Sequence, residues 1–291
     1  MKKKILISGT SGFIGYECLK YLLKNKYDIT VLLRNKNKFN KKFLNLNNNY
    51  PKFKKIFFSA EKDLKIKLKN KKIDIFINFS NYYVNSHNFE DISKLINANV
   101  IFPTLVLDLI SNKCKKVINF GTMMQHPKSK KLDSLNLYAA TKNSFDMIFN
   151  YYQYKYKSCN FYNIKFYESF GKNDYRKKLL PTLFKNIKKN KLTKIFTSKL
   201  VLNIIHIEDI FLSLDILFRK KIKSGSYCLF NKKNISIKNL INSIKLKNKI
   251  KINYMSNKKF KIPTRKIKKL PGWNSKIDIK KKFLLNLNEN N

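Results

Sequence analysis

The sequence predicts an α/β protein: a doubly wound parallel sheet followed by a smaller C-terminal α/β lobe. Three observations predict it. Strand-like and helix-like segments alternate from residue 3 to about residue 165, the pattern of a parallel sheet with right-handed crossovers. The first strand runs straight into a turn rich in glycine and then into a helix. The chain has 291 residues, 43% of them hydrophobic, enough to bury the core of one large domain or of a domain with a smaller companion. Residues 1–165 are expected to form the first domain and 166–291 the lobe, with about 200–220 returning to the first domain.

The opening segment, Lys4-Ile5-Leu6-Ile7-Ser8, reads as a buried strand, and Phe13, Ile14, Cys18, Leu19, Leu22 and Leu23 recur at helical spacing. Between them lies Gly9-Thr10-Ser11-Gly12-Phe13-Ile14-Gly15. The chain has seven glycines, where ordinary usage predicts roughly twenty. A chain so poor in glycine keeps it where a side chain does not fit, and three of the seven are Gly9, Gly12 and Gly15. Strand, glycine turn and helix form the setting of a dinucleotide fingerprint. A tight turn lets the backbone approach a pyrophosphate, and the helix N-terminus offers unpaired N–H groups to its charge. Gly9, Thr10, Gly12, Phe13, Ile14 and Gly15 are the expected cofactor contacts. The bland alternative is a plain strand-to-helix turn.

The next strand, Asp28 to Leu33, ends at Arg34, where such a fold meets the adenosine ribose. A carboxylate there would bond the 2′-hydroxyl, whereas Arg34 offers a cation to a 2′-phosphate. NADP(H) is therefore favoured and NAD(H) remains possible. Lys115 to Phe120 is a further strand, running into Gly121-Thr122-Met123-Met124. Tyr138-Ala139-Ala140-Thr141-Lys142 opens a helix that continues through Phe145, Ile148 and Phe149. Tyr138 and Lys142 are four apart and share one helical face. A free tyrosine has a pKa near 10, and an adjacent ammonium favours its phenolate. Thr122, at a strand end, can hold the same substrate oxygen.

With these residues in place, the chain resembles the extended short-chain dehydrogenase/reductase family, also called the NAD-dependent epimerase/dehydratase family, in its nucleotide-sugar-modifying branch. The resemblance spans roughly residues 3 to 285 and implies a Rossmann fold. The family's glycine motif matches Gly9, Gly12 and Gly15, and its catalytic Ser/Thr, Tyr and Lys match Thr122, Tyr138 and Lys142. Ile73 to Ser80 is similar to the fourth strand, whose following loop lines the nicotinamide side. That implies Phe79 and Ser80 at the cofactor and Asn81 at the substrate. Asn97-Ala98-Asn99-Val100, with Thr104, resembles the Asn-Val helix segment and implies Asn99 at the cofactor. Ile164 to Gly171, with Asp174, Arg176 and Pro181, resembles the entry to the substrate lobe and implies Glu168 and Arg176 at the substrate. Ile204 to Ile210 is similar to the returning strand and helix start, and Leu270-Pro271-Gly272-Trp273 to a near-terminal turn with one residue inserted. The resemblance also implies a homodimer formed through paired helices, the one bearing Tyr138 among them.

Dehydratases of the family carry Asp-Glu after the catalytic Ser/Thr. This chain has Met123-Met124, which cannot transfer protons, so dehydration is disfavoured and Met123 is expected in the substrate wall. Epimerases keep their cofactor bound and show the NAD-type carboxylate. Arg34 argues instead for a released NADPH, and Asn97 to Leu109 and Gly121 to Gln125 look closest to the 4-ketohexose reductases that make CDP-linked dideoxy sugars. The expected reaction is NADPH-dependent reduction of a nucleotide-linked 4-keto-6-deoxy sugar with Tyr138 as general acid; nucleotide-sugar 4-epimerisation is the alternative. Where the family often has an arginine for the diphosphate, this chain has Leu202-Asn203, leaving Lys199, Arg176 or Arg265 to supply the cation.

The formal charge is +46. Only four of the cations are arginine (Arg34, Arg176, Arg219, Arg265), and lysine is spread along nearly every segment beside Asn, Ile, Phe and Tyr. Nucleic-acid readers cluster their charge and favour the guanidinium fork, so the charge is read as A/T-rich coding and no specific nucleic acid is expected. A non-catalytic basic protein of this fold that binds RNA is the rival from another class. Cys18, Cys114, Cys159 and Cys228 lack Cys-x-x-Cys spacing, and with three scattered histidines no metal site is expected. His126 reads as a polar loop residue and His206 as a core residue. No run of 18 uncharged apolar residues exists, so no membrane span is expected, and the cytoplasm is the expected location.

Overall fold

The computed structural model describes residues 3–34, 43, 46, 48–50, 53–126, 134–245, 250–259 and 267–288. By its contacts the chain divides into two units: Met1–His126 with Leu132–Lys165 and Ile222–Tyr227, and Pro127–Lys131 with Phe166–Lys221 and Cys228–Asn291.

The first unit follows the alternation of its sequence: β1 (Lys4–Ser8), α1 (Phe13–Lys24), β2 (Asp28–Leu33), β3 (Lys54–Phe57), α2 (Glu61–Lys69), β4 (Ile75–Asn78), α3 (Phe89–Ile96), α4 (Phe102–Ile110), β5 (Lys116–Thr122), α5 (Leu137–Lys155) and β6 (Asn160–Phe166). These strands and one later strand form a seven-stranded sheet, in which β3-β2-β1-β4-β5-β6 run in that order. The pairs β1·β2, β2·β3, β1·β4 and β4·β5 are parallel. This is the Rossmann order, and it reverses direction between β1 and β4, where such sheets open a ligand crevice at the carboxyl ends of the strands. Ile5 to Ser8 in β1 and all of β4 are buried, as a sheet covered on both faces requires. Leu6, Leu32, Phe76 and Val117 pack with Leu64 and Leu68 of α2, Val106 and Leu107 of α4, and Phe145 and Phe149 of α5.

A single π-turn, Asn97–Ile101, joins α3 to α4, with the Phe102 N–H donating to the Asn97 carbonyl. Pro103 has no N–H to continue the α-ladder, and the wider turn accommodates it. Phe89–Ile110 is thus one helical run of 22 residues, long and apolar enough by length and composition to cross a membrane. Its Leu95, Val106, Leu107 and Ile110 are fully enclosed within this unit.

The second unit contains β7 (Glu168–Phe170), α6 (Leu179–Lys188), β8 (Thr193–Ile195), β9 (Val201–Leu202), β10 (Ile204–His206) and α7 (Ile207–Arg219). After β11 (Gly225–Leu229) come β12 (Ile235–Ser236), α8 (Ile237–Lys245), β13 (Ile252–Tyr254) and α9 (Ile279–Asn288). Three two-stranded sheets, β10·β7, β12·β9 and β13·β8, surround a core including Phe170, Leu183, Ile204, Leu240 and Phe283. The Leu270–Trp273 turn is anchored to the start of α7: the indole of Trp273 donates to the Asp209 carbonyl at 2.8 Å, and Ser275 and the Lys276 N–H bond the Asp209 carboxylate.

One boundary differs from expectation. Residues 200–220 stay in the second unit, because β10 pairs with β7 in parallel. The segment that joins the large sheet is later: β11 lies beside β6, and its approach is fixed by bonds from the Tyr162 hydroxyl to the Ile222 carbonyl and from the Phe161 N–H to Ser224 Oγ.

Candidate active site

The glycine turn lies at the reversal point. Gly9 has φ +75°, and a Cβ there would lie 2.3 Å from the carbonyl carbon of Phe79 and 2.5 Å from the Ser80 nitrogen. A Cβ on Gly15 would lie 2.3 Å from the Gly9 carbonyl oxygen. The chain itself requires these two glycines. Gly12 is different: it is exposed, its backbone is extended, and a Cβ would meet only the Gly9 oxygen, at 3.4 Å. It caps α1 without a side-chain bond, and the first turn holds no acidic residue. A helix start of this kind, with no carboxylate beside it, favours an anion. A dinucleotide pyrophosphate fits this cradle.

Of the expected contacts in this turn, Gly9, Gly12 and Ile14 reach the surface, whereas Thr10, Phe13 and Gly15 are buried. Thr10 has no accessible surface, and its Oγ1 is buried without a hydrogen-bond partner among the described residues. Ser11, passed over in the sequence reading, is exposed beside Gly12; a polar residue between the turn's threonine and second glycine was its available signal.

Around the turn, Arg34 is exposed at the end of β2 with its guanidinium 5.5 Å from the centre of the Phe102 ring. Phe79 stacks on Phe120 with ring centres 4.4 Å apart, the Ser80 N–H donates to Asn78 Oδ1 at 3.1 Å, and Asn81 is exposed. Asn99 departs from expectation. It is fully enclosed; its amide donates to the Tyr82 carbonyl and Thr141 Oγ1 and accepts from the Tyr82 N–H. It clamps the segment after β4 to α5 and presents no side-chain surface to a cofactor.

Thr122 closes β5. Its hydroxyl oxygen accepts from the Met124 N–H at 3.2 Å, and its N–H donates to Gln125 Oε1 at 2.9 Å, capping the 3-10 turn Met123–Gln125. Tyr138 stands in the first turn of α5, capped by Asn136, and its ring lies edge-on to Tyr83 with centres 4.9 Å apart. Lys142 follows one turn later and is 2% exposed. Loss of hydration pushes its pKa down to about 8; Asp146 opposes the shift and Lys165 reinforces it. An ammonium so placed is charged at neutrality and sheds its charge within reach of physiological pH. Met123 is enclosed and Met124 half-buried, so Met123 fills the core of the turn instead of forming a substrate wall.

Beneath this face, Asp146 pairs with Lys165, and Gln125 Nε2 donates to Asp146 at 2.8 Å. Lys165 also meets His126 Nε2 at 2.7 Å, making His126 a buried partner where a loop residue was expected. Asp146 and Lys165 are not among the residues expected from the sequence, although Asp146 continues the four-residue series from Tyr138 and Lys142.

Glu168 and Arg176 belong to the second unit. Glu168 pairs with Lys178 at 3.7 Å, and Arg176 is held by both oxygens of Asp174 and by the Ser169 carbonyl. Asn203 is buried and tied to Asn231 and Asn234, so it staples a loop where a cation was sought. Arg265 lies outside the described residues. Among the described residues, no group of three or more His, Cys, Asp or Glu is placed to hold a metal ion.

The model of the NAD dependent epimerase/dehydratase family matches residues 5–227. CDP-abequose synthase of Yersinia pseudotuberculosis is 26% identical over 210 residues, covering 71% of this chain and 70% of that protein. UDP-glucuronic acid 4-epimerase from Bacillus cereus, solved with NAD, superposes with a TM-score of 0.81 at 17% identity, covering 98% of both chains. dTDP-glucose 4,6-dehydratase from Bacillus anthracis, also solved with NAD, gives 0.80 at 18% identity, over 98% of this chain and 95% of that one. A glycine cradle at the sheet's reversal point, a Tyr138–Lys142 helix and a matching family model lead to one conclusion: the chain belongs to the NAD dependent epimerase/dehydratase family.

Proposed function

We propose that the protein is an NADPH-dependent reductase of a nucleotide-linked 4-keto-6-deoxy sugar. The observation that carries this reading is the buried Lys142, one helical turn from Tyr138 on α5. Arg34 at the end of β2 supports NADPH over NADH, Met123-Met124 speak against elimination of water, and the relative that makes CDP-abequose supports a sugar nucleotide.

NADPH held in this cradle would supply the hydride for the sugar C4. The chain supplies the proton and the positioning. The Thr122 oxygen already accepts the Met124 N–H, which leaves the Thr122 hydroxyl proton to bond the sugar oxygen. Tyr138 donates its phenolic proton to that oxygen as negative charge builds on it. The Lys142 ammonium stabilises the phenolate left behind. The half-buried Gly9 and the exposed Ser11 and Gly12, at the start of α1, would hold the pyrophosphate, and Arg34 the 2′-phosphate.

The test is a panel of CDP-, dTDP-, GDP- and UDP-linked 4-keto-6-deoxy sugars followed by NADPH absorbance. Stoichiometric NADPH loss with one of them is the expected result. Inversion at C4 of a sugar nucleotide without net NADPH loss would make the protein an epimerase. RNA binding with no dinucleotide binding would remove the enzyme reading.

A second copy is the proposed partner, through α3 and α5, where Phe89, Met147, Tyr151 and Tyr154 are each more than half exposed. Light scattering should give twice the 34.6 kDa chain mass, and Tyr154→Glu should shift it toward one copy.

A further inference from the structure

A line of side-chain amides crosses the sheet of the first unit. Ser8 of β1 pairs in register with Asn78 of β4, and Asn78 with Asn119 of β5. Ser8 Oγ donates to Asn78 Oδ1 at 2.7 Å, Asn78 Nδ2 to Asn119 Oδ1 at 2.9 Å, and Asn119 Nδ2 to Asn163 Oδ1 of β6 at 3.0 Å. Asn163 Nδ2 completes the line at Asp146 Oδ1, at 2.7 Å. All three asparagines are at most 1% exposed.

A carboxamide both donates and accepts, so no asparagine in the line fixes its own direction. An ionised carboxylate only accepts. Asp146 therefore orients Asn163, which orients Asn119, which orients Asn78. The oxygen at the far end, Asn78 Oδ1, also accepts the Ser80 N–H, and Ser80 abuts Gly9. The carboxylate at one end and the Ser80 N–H, which only donates, at the other thus demand the same polarity along the whole line.

The other oxygen of Asp146 takes Lys165 and Gln125 Nε2, and Gln125 in turn holds the Thr122 N–H. Lys142 and Lys165 are each 2% exposed. Two ammoniums so enclosed need a counter-charge. The charged groups that act on Lys142 are Asp146 from its own helix and Lys165 from β6, with His126 after β5 in contact with Lys165; Tyr138 lies one turn earlier on the same helix.

We propose that Asp146 is a positioning residue for the site. Its carboxylate ends the amide relay that reaches Ser80, and it is the counter-charge that allows Lys142 and Lys165 to be buried together. The role rests on the reductase reading for its consequence in turnover, and on this chain's own groups for its consequence in stability.

Two variants test it in opposite directions. In Asp146→Asn the counter-charge is lost while Lys165 stays, so the alkaline limb of kcat/KM moves to lower pH, by about one unit. In Lys165→Met the carboxylate faces Lys142 alone, and the limb moves up by a similar amount. A residue that merely supports the fold changes yield and melting temperature and leaves the limb in place. Limbs unmoved, or moved the same way, overturn the proposal. Lys165→Met alone carries the test if Asp146→Asn does not accumulate as folded protein.

If no sugar is turned over, ligand-free melting against pH reads the same titration. Lys142 binds its proton less tightly folded than unfolded, so its contribution to stability rises with pH between the two pKa values. That window opens at lower pH in Asp146→Asn and at higher pH in Lys165→Met; coincident windows overturn the proposal independently of any substrate. Asn119→Leu cuts the relay away from Lys142 and should weaken NADPH binding about tenfold in nicotinamide fluorescence. Unchanged binding overturns the relay.

Discussion

A methyl group on Gly15 would lie 2.3 Å from the carbonyl oxygen of Gly9, while one on Gly12 would clear that same oxygen at 3.4 Å. The two glycines therefore answer to different partners. Gly15→Ala forces backbone apart inside the turn and should cost about 1–3 kcal/mol, seen as a lower melting temperature. Gly12→Ala is expected to melt close to the parent yet bind NADPH more weakly, since its methyl occupies the side from which a pyrophosphate approaches. Equal NADPH affinity in Gly12→Ala and the parent would remove the pyrophosphate from this turn.

Tyr138→Phe keeps the ring that packs edge-on against Tyr83 and deletes only the proton donor. Turnover should fall about 10²–10⁴-fold, with NADPH fluorescence titrating as in the parent and the melting temperature little changed. Full turnover in this variant would end the general-acid assignment.

The extent to which the site could be read from residues follows from which features are local. The glycine turn was legible because strand, turn and helix are contiguous, and the Tyr138–Lys142 face because four residues make one helical turn. Burial is a long-range property, and local sequence does not carry it. Asn99 sits in a helix whose π-turn aims its amide at Tyr82 and Thr141, 17 and 42 residues away in sequence. Met123 and Thr10 stand at contact positions of their motifs, yet their neighbours across the fold enclose them. Arg176 is a ready cation by residue type, but Asp174, two residues earlier, occupies its fork. Lys165 looked like one lysine among many, and only the strand order brings it beneath α5.

Arg34 tests the cofactor preference. It is exposed, and its guanidinium leans over Phe102 without a described carboxylate partner in contact. Arg34→Ala should leave NADH use nearly unchanged while NADPH affinity falls about 10- to 100-fold, the scale of a charge-assisted bond. The measurement is the ratio of kcat/KM for the two cofactors. A ratio that does not move would place the adenosine 2′-position away from this strand end.

His206 makes the acid stability of the second unit predictable. It closes β10, caps α7 by accepting the Glu208 N–H, and stacks edge-on against Phe170 with ring centres 5.0 Å apart. Burial drives its pKa down to about 4; Glu208 pulls it partly back and Lys282 adds to the fall. The ordinary value near 6.5 applies once the chain unfolds. Between about 6.5 and 4 the unfolded chain therefore binds a proton that the folded one refuses, so stability declines as pH falls through that window and is fully present above it. His206→Asn retains a good helix cap without the titration. Its melting temperature should fall less than the parent's between pH 7 and pH 4.5, and parallel curves for the two proteins would show that His206 does not carry this linkage.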